Sequence, residues 1–449
     1  MNRLLLSFFG LILLLSLPIR STAQSDSLVL HLQKYLEELA LQDEDFSVSV
    51  AVAKQDKLVF SKAYGLANRN FQLKADTATL YNIASIGKLF TATAILQLIE
   101  KGELELDAPV SKYLPDISEQ DTIGTCTIRQ LLTHSSGLPL WFSLDFIKGP
   151  KHPYRVLKDY KPLLADAKVD QQKVGQFQYS NVGYFLLGFV LEAVTGTSYE
   201  ALIQSAVFKK ADMQRAEFYA LDAIKHHAAT GYNRPAGPDD YWKPNHYLNL
   251  SSNPAGGAYV SPTGLLQFIA ALRNGQLLNP TTLTSMQSKQ VDSPLGPYGF
   301  GMKIEDHNGY TFKGHDGAFF GARGVVGWWD DTDYSIAILS NTDQTDFIDV
   351  YYYLQTYLTA SEEQRKAYEH TQATIYRLLN EHTTIEKLAI ASQVSMDEDL
   401  IQIKAYHYWN KQDYSTAKRL FQLNARSFPQ SERAKADLAK ANKMLKLRN

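Results

Sequence analysis

Apolar residues recur at helical spacing between Asp26 and Leu39, with Leu28, Leu32, Tyr35, Leu36 and Leu39 on one face. The period then changes. Ser47–Ala53 and Leu58–Ala63 are strand-like runs, and the polar Lys54-Gln55-Asp56-Lys57 between them predicts a hairpin. Helical spacing returns from Ser85 to Lys101 on Leu89, Ala92, Ile95, Leu96 and Ile99, with Gly102 as the stop. The middle third is rich in Pro, Gly and Tyr and holds several helical pieces. Further strands are predicted at Gly309–Lys313, Gly321–Trp329 and Tyr334–Ser340, then a helix from Asp346 to Thr359. Strands at both ends with helices between them predict an α/β (α+β) fold. Its core would be one antiparallel sheet flanked by helices, with an inserted helical subdomain and a cleft where the two meet.

The two ends of the chain differ from this body. Arg3 precedes an apolar run from Leu4 to Leu17, then Pro18, then the small residues Ser21-Thr22-Ala23. That layout predicts a cleaved secretory signal over residues 1–23. The run is short for a membrane span, and no Cys follows it to carry a lipid. The expectation is an exported protein, periplasmic or secreted, with no stable membrane anchor after cleavage. At the other end, the hydrophilic Ser361-Glu362-Glu363-Gln364-Arg365-Lys366 marks a predicted boundary. It separates a body of residues 24–360 from an all-α tail of residues 361–449.

Composition narrows the function. The 449 residues are 45% hydrophobic and 20% charged, an ordinary globular balance. The leader carries two Arg and no acid, so its removal takes the formal net charge of -2 down by two, to -4. A nucleic-acid partner is not expected at that charge. Cys126 is the single cysteine, so no intrachain disulfide can form. It is expected to be a small buried filler.

Three motifs stand in order: Ser85-Ile86-Gly87-Lys88, Tyr179-Ser180-Asn181 and His315-Asp316-Gly317. Ser85 and Lys88 are three apart and would share a helix face. A serine hydroxyl needs a base, and a lysine serves only if burial or a second cation lowers its pKa. His315, when protonated, is the candidate second cation. Tyr179 can relay a proton, and the Asn181 amide can bind a substrate amide. His315-Asp316-Gly317 is predicted to open a strand, with Gly317 letting a substrate lie against its edge. The Ser85 and Ala318 amides would then form an oxyanion hole. No H-E-x-x-H or Cys/His cluster is present, so no metal or other cofactor is expected.

Joined, the motifs resemble those of the serine β-lactamase and penicillin-binding protein superfamily. The tyrosine and H-x-G versions resemble its class C β-lactamase-like branch, which includes D-alanyl-D-alanine carboxypeptidases, D-amino-acid amidases and esterases. Leu131–Pro139, Pro254–Gly257, Tyr298–Gly301 and Tyr334–Asn341 are similar to further segments of that family. The resemblance spans roughly residues 30–360. It implies an acyl-enzyme on Ser85, with Lys88 and Tyr179 as the activating pair. Asn181, His315, Gly317 and Ala318 would bind a small-molecule or peptide substrate. His315 replaces the Lys usual in class C β-lactamases, which implies a carboxypeptidase or esterase type rather than an efficient β-lactamase. His134 falls in a segment that is a structural loop in the family. The insert from Trp141 to Gly175, expected to be helical, would wall the cleft, with Trp141, Phe142, Phe146 and Tyr154 as pocket candidates. In the tail, Ala405, Tyr408, Ala417, Phe421 and Pro429 resemble a tetratricopeptide repeat, with Lys404 and Asn424 departing from it. One such copy must lean on its neighbours or on the body, and the tail is a candidate protein-binding surface. The alternative reading is a non-hydrolytic sensor that captures a penicillin or a cell-wall peptide and signals through the tail.

Overall fold

The computed structural model describes residues 20–117, 122–220, 222–234, 241–247, 250, 253–344, 346–381, 385, 388 and 395–446. Most of the predicted leader lies outside the described residues. Its centre is an eight-stranded antiparallel sheet. In chain order the strands are β1 (Val48–Lys54), β2 (Lys57–Tyr64), β3 (Val291–Ser293), β4 (Gly296–Tyr298), β5 (Lys303–His307), β6 (Tyr310–Phe319), β7 (Ala322–Trp329) and β8 (Tyr334–Ser340). They lie side by side as β3-β4-β5-β6-β7-β8-β1-β2, so the N-terminal hairpin closes onto the last strand. Gln55 and Asp56 take positive φ, 49° and 59°, which suits the tight turn between two right-twisted strands.

Alternation along β1 and β8 explains why the sheet is covered on both faces. Val48, Val50, Val52, Ile336 and Ile338 pack with Leu28, Leu32 and Leu36 of α1 (Arg20–Gln42). The intervening Ala51, Ala337 and Leu339 point to the other side, into a core with Leu265, Phe268 and Leu272. That second core runs on into the inserted subdomain through α2 (Lys88–Glu100), α3 (Asn181–Thr195) and α4 (Pro262–Arg273). The predicted α+β class is the one the chain adopts.

Two predicted elements needed correction. The histidine motif does not open a strand but lies within β6. Gly314 continues the ladder opposite Gly327, so the expected break after Lys313 is absent. The insert beyond Trp141 is mostly short turns and 3-10 segments, with one α-helical stretch at Leu144–Lys148.

After β8 come α5 (Asp346–Thr359) and α6 (Glu362–Asn380), the latter opened by a Ser361/Gln364 capping box. The tail continues as α7 (Glu398–Asn410), α8 (Tyr414–Ser427) and α9 (Glu432–Lys446). Ala405, Ala417 and Phe421 are fully withdrawn from water between these helices, and Tyr352 and Tyr353 of α5 pack against the same cluster. Polar contacts fasten the joint further. Lys404 Nζ donates to Asp349 Oδ2 at 2.9 Å, and Lys411 pairs with Asp43. Among the described residues no single helix is long and apolar enough to cross a membrane.

Candidate active site

Ser85 sits on a 3-10 turn, Ala84–Gly87, that runs into α2. The turn is strained: Ala84 holds φ at 45°, a left-handed conformation costly for a residue with a Cβ. Asn82 holds it there, its Oδ1 accepting the Ala84 N–H at 2.9 Å. Two glycines let other segments close on the turn. A Cβ at Gly317 would lie 2.3 Å from Ile83 O and 3.2 Å from Ser85 N, so β6 passes directly over the serine amide. At Gly256 a Cβ would meet Ala84 O at 2.4 Å.

Lys88, at the start of α2, is fully buried. Its Nζ lies 3.1 Å from Ser85 Oγ, 2.7 Å from Asn181 Oδ1 and 2.7 Å from the Ala255 carbonyl. None of these three partners is an anion. Burial therefore holds the amine well below its ordinary value, with only a lesser opposing pull from Asp316. The geometry suits the neutral form. Two N–H bonds go to Asn181 and Ala255, which can only accept, and the lone pair is left facing the Ser85 hydroxyl.

Tyr179 is positioned by the start of α3. Ser180 caps that helix, its Oγ accepting the Gly183 N–H at 3.1 Å and donating to Pro139 O at 2.7 Å. The Tyr179 ring lies 4.9 Å from Lys88 Nζ. Burial raises the phenol's pKa, and a hydrogen bond with Ser85 opposes the rise only in part, so the group is a neutral phenol. Behind it His134 packs with its ring tilted by 33°, 4.1 Å between centroids, and accepts the Ser180 N–H on Nδ1 at 3.1 Å. Burial lowers the His134 pKa, so this imidazole is a neutral support for the tyrosine segment, not a proton carrier at Ser85.

His315 corrects an expectation. Its Nδ1 lies 2.5 Å from the Asp316 carbonyl, which can only accept, so Nδ1 carries the proton. Its Nε2 then accepts from Tyr298 OH at 3.2 Å. Both ring nitrogens are committed inside the protein. Burial lowers the pKa, so His315 is not the second cation predicted for Lys88; desolvation alone depresses the amine.

The cleft over Ser85 encloses about 460 Å³. Ser85, Tyr179, Asn181, His315 and Ala318 line it, while Gly317 lies beneath, against the serine turn. On the β5 side, pairing with β6 ends at Gly314, so residues 315–319 present an open strand edge. Trp141, Leu140, Phe177, Leu295 and Phe319 form apolar walls. Of the predicted pocket residues only Trp141 lines the cleft. Phe142 and Phe146 are buried in the subdomain core and Tyr154 packs on it. Two charged side chains to which no role was assigned also line the cleft: Lys303 at the start of β5, outside the three motifs, and Asp316, the middle residue of the third motif, which pairs with it.

Cys126 is buried as expected, its thiol pushed up to about 12 by burial. Among the described residues one group of metal-type side chains, Asp43, Asp346 and His407, brings its ligand atoms within 4.8 Å of one another at the tail joint. Lys404 and Lys411 already supply positive charge there.

Fold and cleft together define the class, a β-lactamase-type serine hydrolase fold. The Beta-lactamase family profile matches residues 33–359, and the chain belongs to that family. Penicillin-binding protein 4* of Bacillus subtilis is 28% identical over 295 residues, covering 62% of this chain and 63% of its own length. The chain spans about three fifths of the length of the first curated relatives it matches. Among solved structures, a penicillin-binding protein from Bacillus halodurans superposes with a TM-score of 0.65 at 29% identity, over 71% of this chain and 99% of that one. A D-stereospecific amidohydrolase from Streptomyces gives 0.60 at 25% identity, over 70% of this chain and 94% of that one.

Proposed function

We propose that this chain is an exported serine hydrolase of the class C β-lactamase-like branch, acting on a peptide, amide or ester through an acyl-enzyme. One observation carries the reading: a fully buried amine, free of any touching anion, sits 3.1 Å from the Ser85 hydroxyl. Lys88 Nζ takes the Ser85 proton as Oγ attacks the substrate carbonyl. The Ser85 and Ala318 amides receive the oxyanion. When the tetrahedral adduct collapses, the C–N or C–O bond breaks and the Tyr179 hydroxyl relays the proton to the leaving group. Water then enters by the same path in reverse and frees the acid. Asn181 holds Lys88 as well as the substrate. The export assignment rests on the apolar run at residues 4–17.

In this reading the hydrolase unit is residues 24–360, and residues 361–449 form a tetratricopeptide-like tail able to take a protein partner. The second reading, a sensor that is acylated but does not turn over, is favoured by the polar fastening of Lys404 and Lys411 to the catalytic body. Treating the mature chain with a fluorophosphonate and then with p-nitrophenyl esters and nitrocefin separates the two. The hydrolase reading expects labelling and turnover, both lost in Ser85→Ala. A permanent adduct without turnover supports the sensor, and labelling retained in Ser85→Ala refutes the site.

A further inference from the structure

The charge lining the cleft limits what its substrate can carry. Among the described residues that line it, Lys303 and His315 are those able to bear a positive charge, and the buried Lys88 lies behind Ser85. Lys88 is enclosed by neutral acceptors and faces Ser85. Both nitrogens of His315 are taken, by Tyr298 and by the Asp316 carbonyl. Lys303 is the remaining candidate to receive an anionic substrate group, and Asp316 already holds its ammonium. Asp316 is also the one carboxylate among the described lining residues. Its side chain is 45% exposed against 20% for Lys303, so the acid is the more open face of the pair. The register fixes this arrangement. Lys303 pairs across the ladder with Gly314, two residues before Asp316 and on the same face.

We infer that Asp316 is a specificity-determining residue which, by occupying Lys303, makes this a site for esters and amides whose leaving group is uncharged. A substrate with a free carboxylate on its leaving group meets a like charge where a bare ammonium would have attracted it. The inference rests on the hydrolase reading of the same cleft and selects within it: amidase or esterase over carboxypeptidase. Burial is the largest influence on Asp316 and opposes its ionisation, but the Lys303 charge and hydrogen bond, with lesser help from the His315 ring and the backbone, together hold the carboxyl below its usual range.

The test is a matched pair of substrates that break the same bond. N-acyl-D-alanyl-D-lactate leaves a group bearing a free carboxylate, and its methyl ester leaves a neutral one. The full mature chain is expected to favour the methyl ester in kcat/KM by about tenfold or more. Asp316→Asn uncovers Lys303 and should shift the ratio toward the free acid by at least about the same factor. Lys303→Gln leaves Asp316 unpaired and should widen the preference for the methyl ester. Equal rates on the two substrates in the wild-type chain overturn the inference whether or not either variant folds. A ratio unmoved in a folded Asp316→Asn also overturns it. Fluorophosphonate labelling of Ser85, run alongside, tells the failures apart. A labelled chain with the wrong ratio sinks only this inference, whereas an unlabelled chain sinks the hydrolase reading and this with it.

Discussion

Lys88 and Lys404 are both amines drawn away from water, yet their surroundings are opposite. Lys88, with no exposed surface, touches a hydroxyl, an amide oxygen and a carbonyl. Lys404 faces the Asp349 carboxylate at 2.9 Å, and its neighbour Lys411 faces Asp43. An amine paired with a carboxylate acts as a fastener, here between tail and body. An amine deprived of a counter-charge is forced toward its neutral form and becomes a base. The side chain is the same, and the presence or absence of one carboxylate separates a joint from a candidate catalytic group.

The largest expected effect comes from exchanging each lysine for methionine. Lys88→Met should lower kcat/KM on a p-nitrophenyl ester by about 10³-fold or more, the upper part of the range for losing a general base. It should also raise stability in chemical denaturation, by about 1 kcal/mol, because a strained functional group is replaced by one suited to its surroundings. Lys404→Met should do the reverse. It strands the buried Asp349 and costs about 3 kcal/mol of stability, while esterase activity stays within about twofold because the cleft is untouched. If both variants lose stability alike, the distinction between base and fastener fails.

Sequence disclosed one of these lysines and not the other, for a physical reason. Ser85, Lys88, Tyr179 and Asn181 fall in short motifs whose residue types already imply a proton path. Lys404 shows only as a departure from a repeat pattern, since its partner is 55 positions away on α5. Lys303 was invisible in the same way: its role depends on the β5–β6 register, which aligns it with Gly314. Strands β3 to β5 themselves were missed because they are short and lack a clear apolar alternation. Apolar patterning did find the edge strand β2 and the central strands β1, β7 and β8, whose buried residues serve both faces of the sheet. Whether His315 carries a charge is not legible in its motif, because burial is a tertiary property. Its motif gave no warning that Tyr298 and a carbonyl would take both nitrogens.

Tyr179→Phe probes the middle of the range. The ring and its packing on His134 remain while the hydroxyl is lost. An expected fall of about 10²-fold in kcat, with KM little changed, fits a group needed for proton transfer and not for substrate binding. An equal loss in stability and KM would assign the tyrosine to packing instead.

The smallest effect, acid stability, divides the same two regions through their histidines. His315 and His134 in the body are buried and neutral, their pKa values lowered by desolvation. Below a pH of about 6.5 the unfolded chain binds a proton on each that the folded chain refuses. Stability from this source therefore falls with pH, by about 1.4 kcal/mol per unit for each imidazole. At the tail joint His407 is likewise lowered, to about 4, chiefly by burial. Asp346 beside it is raised to about 7, again chiefly by burial, with Asp43 adding to the rise and Lys411 opposing it. Folded Asp346 keeps a proton that the unfolded chain releases between about pH 4 and 7, so its contribution grows as pH falls. Between about pH 4 and 6.5 the two slopes at the joint oppose and cancel. His315→Asn should therefore make the acid limb of stability shallower by about 1.4 kcal/mol per pH unit. Asp346→Asn removes the compensating proton uptake and should make it steeper by a similar amount. Urea denaturation of the three proteins at several pH values across that window reads both slopes directly. A limb for Asp346→Asn parallel to wild type would mean that the joint does not offset its own histidine.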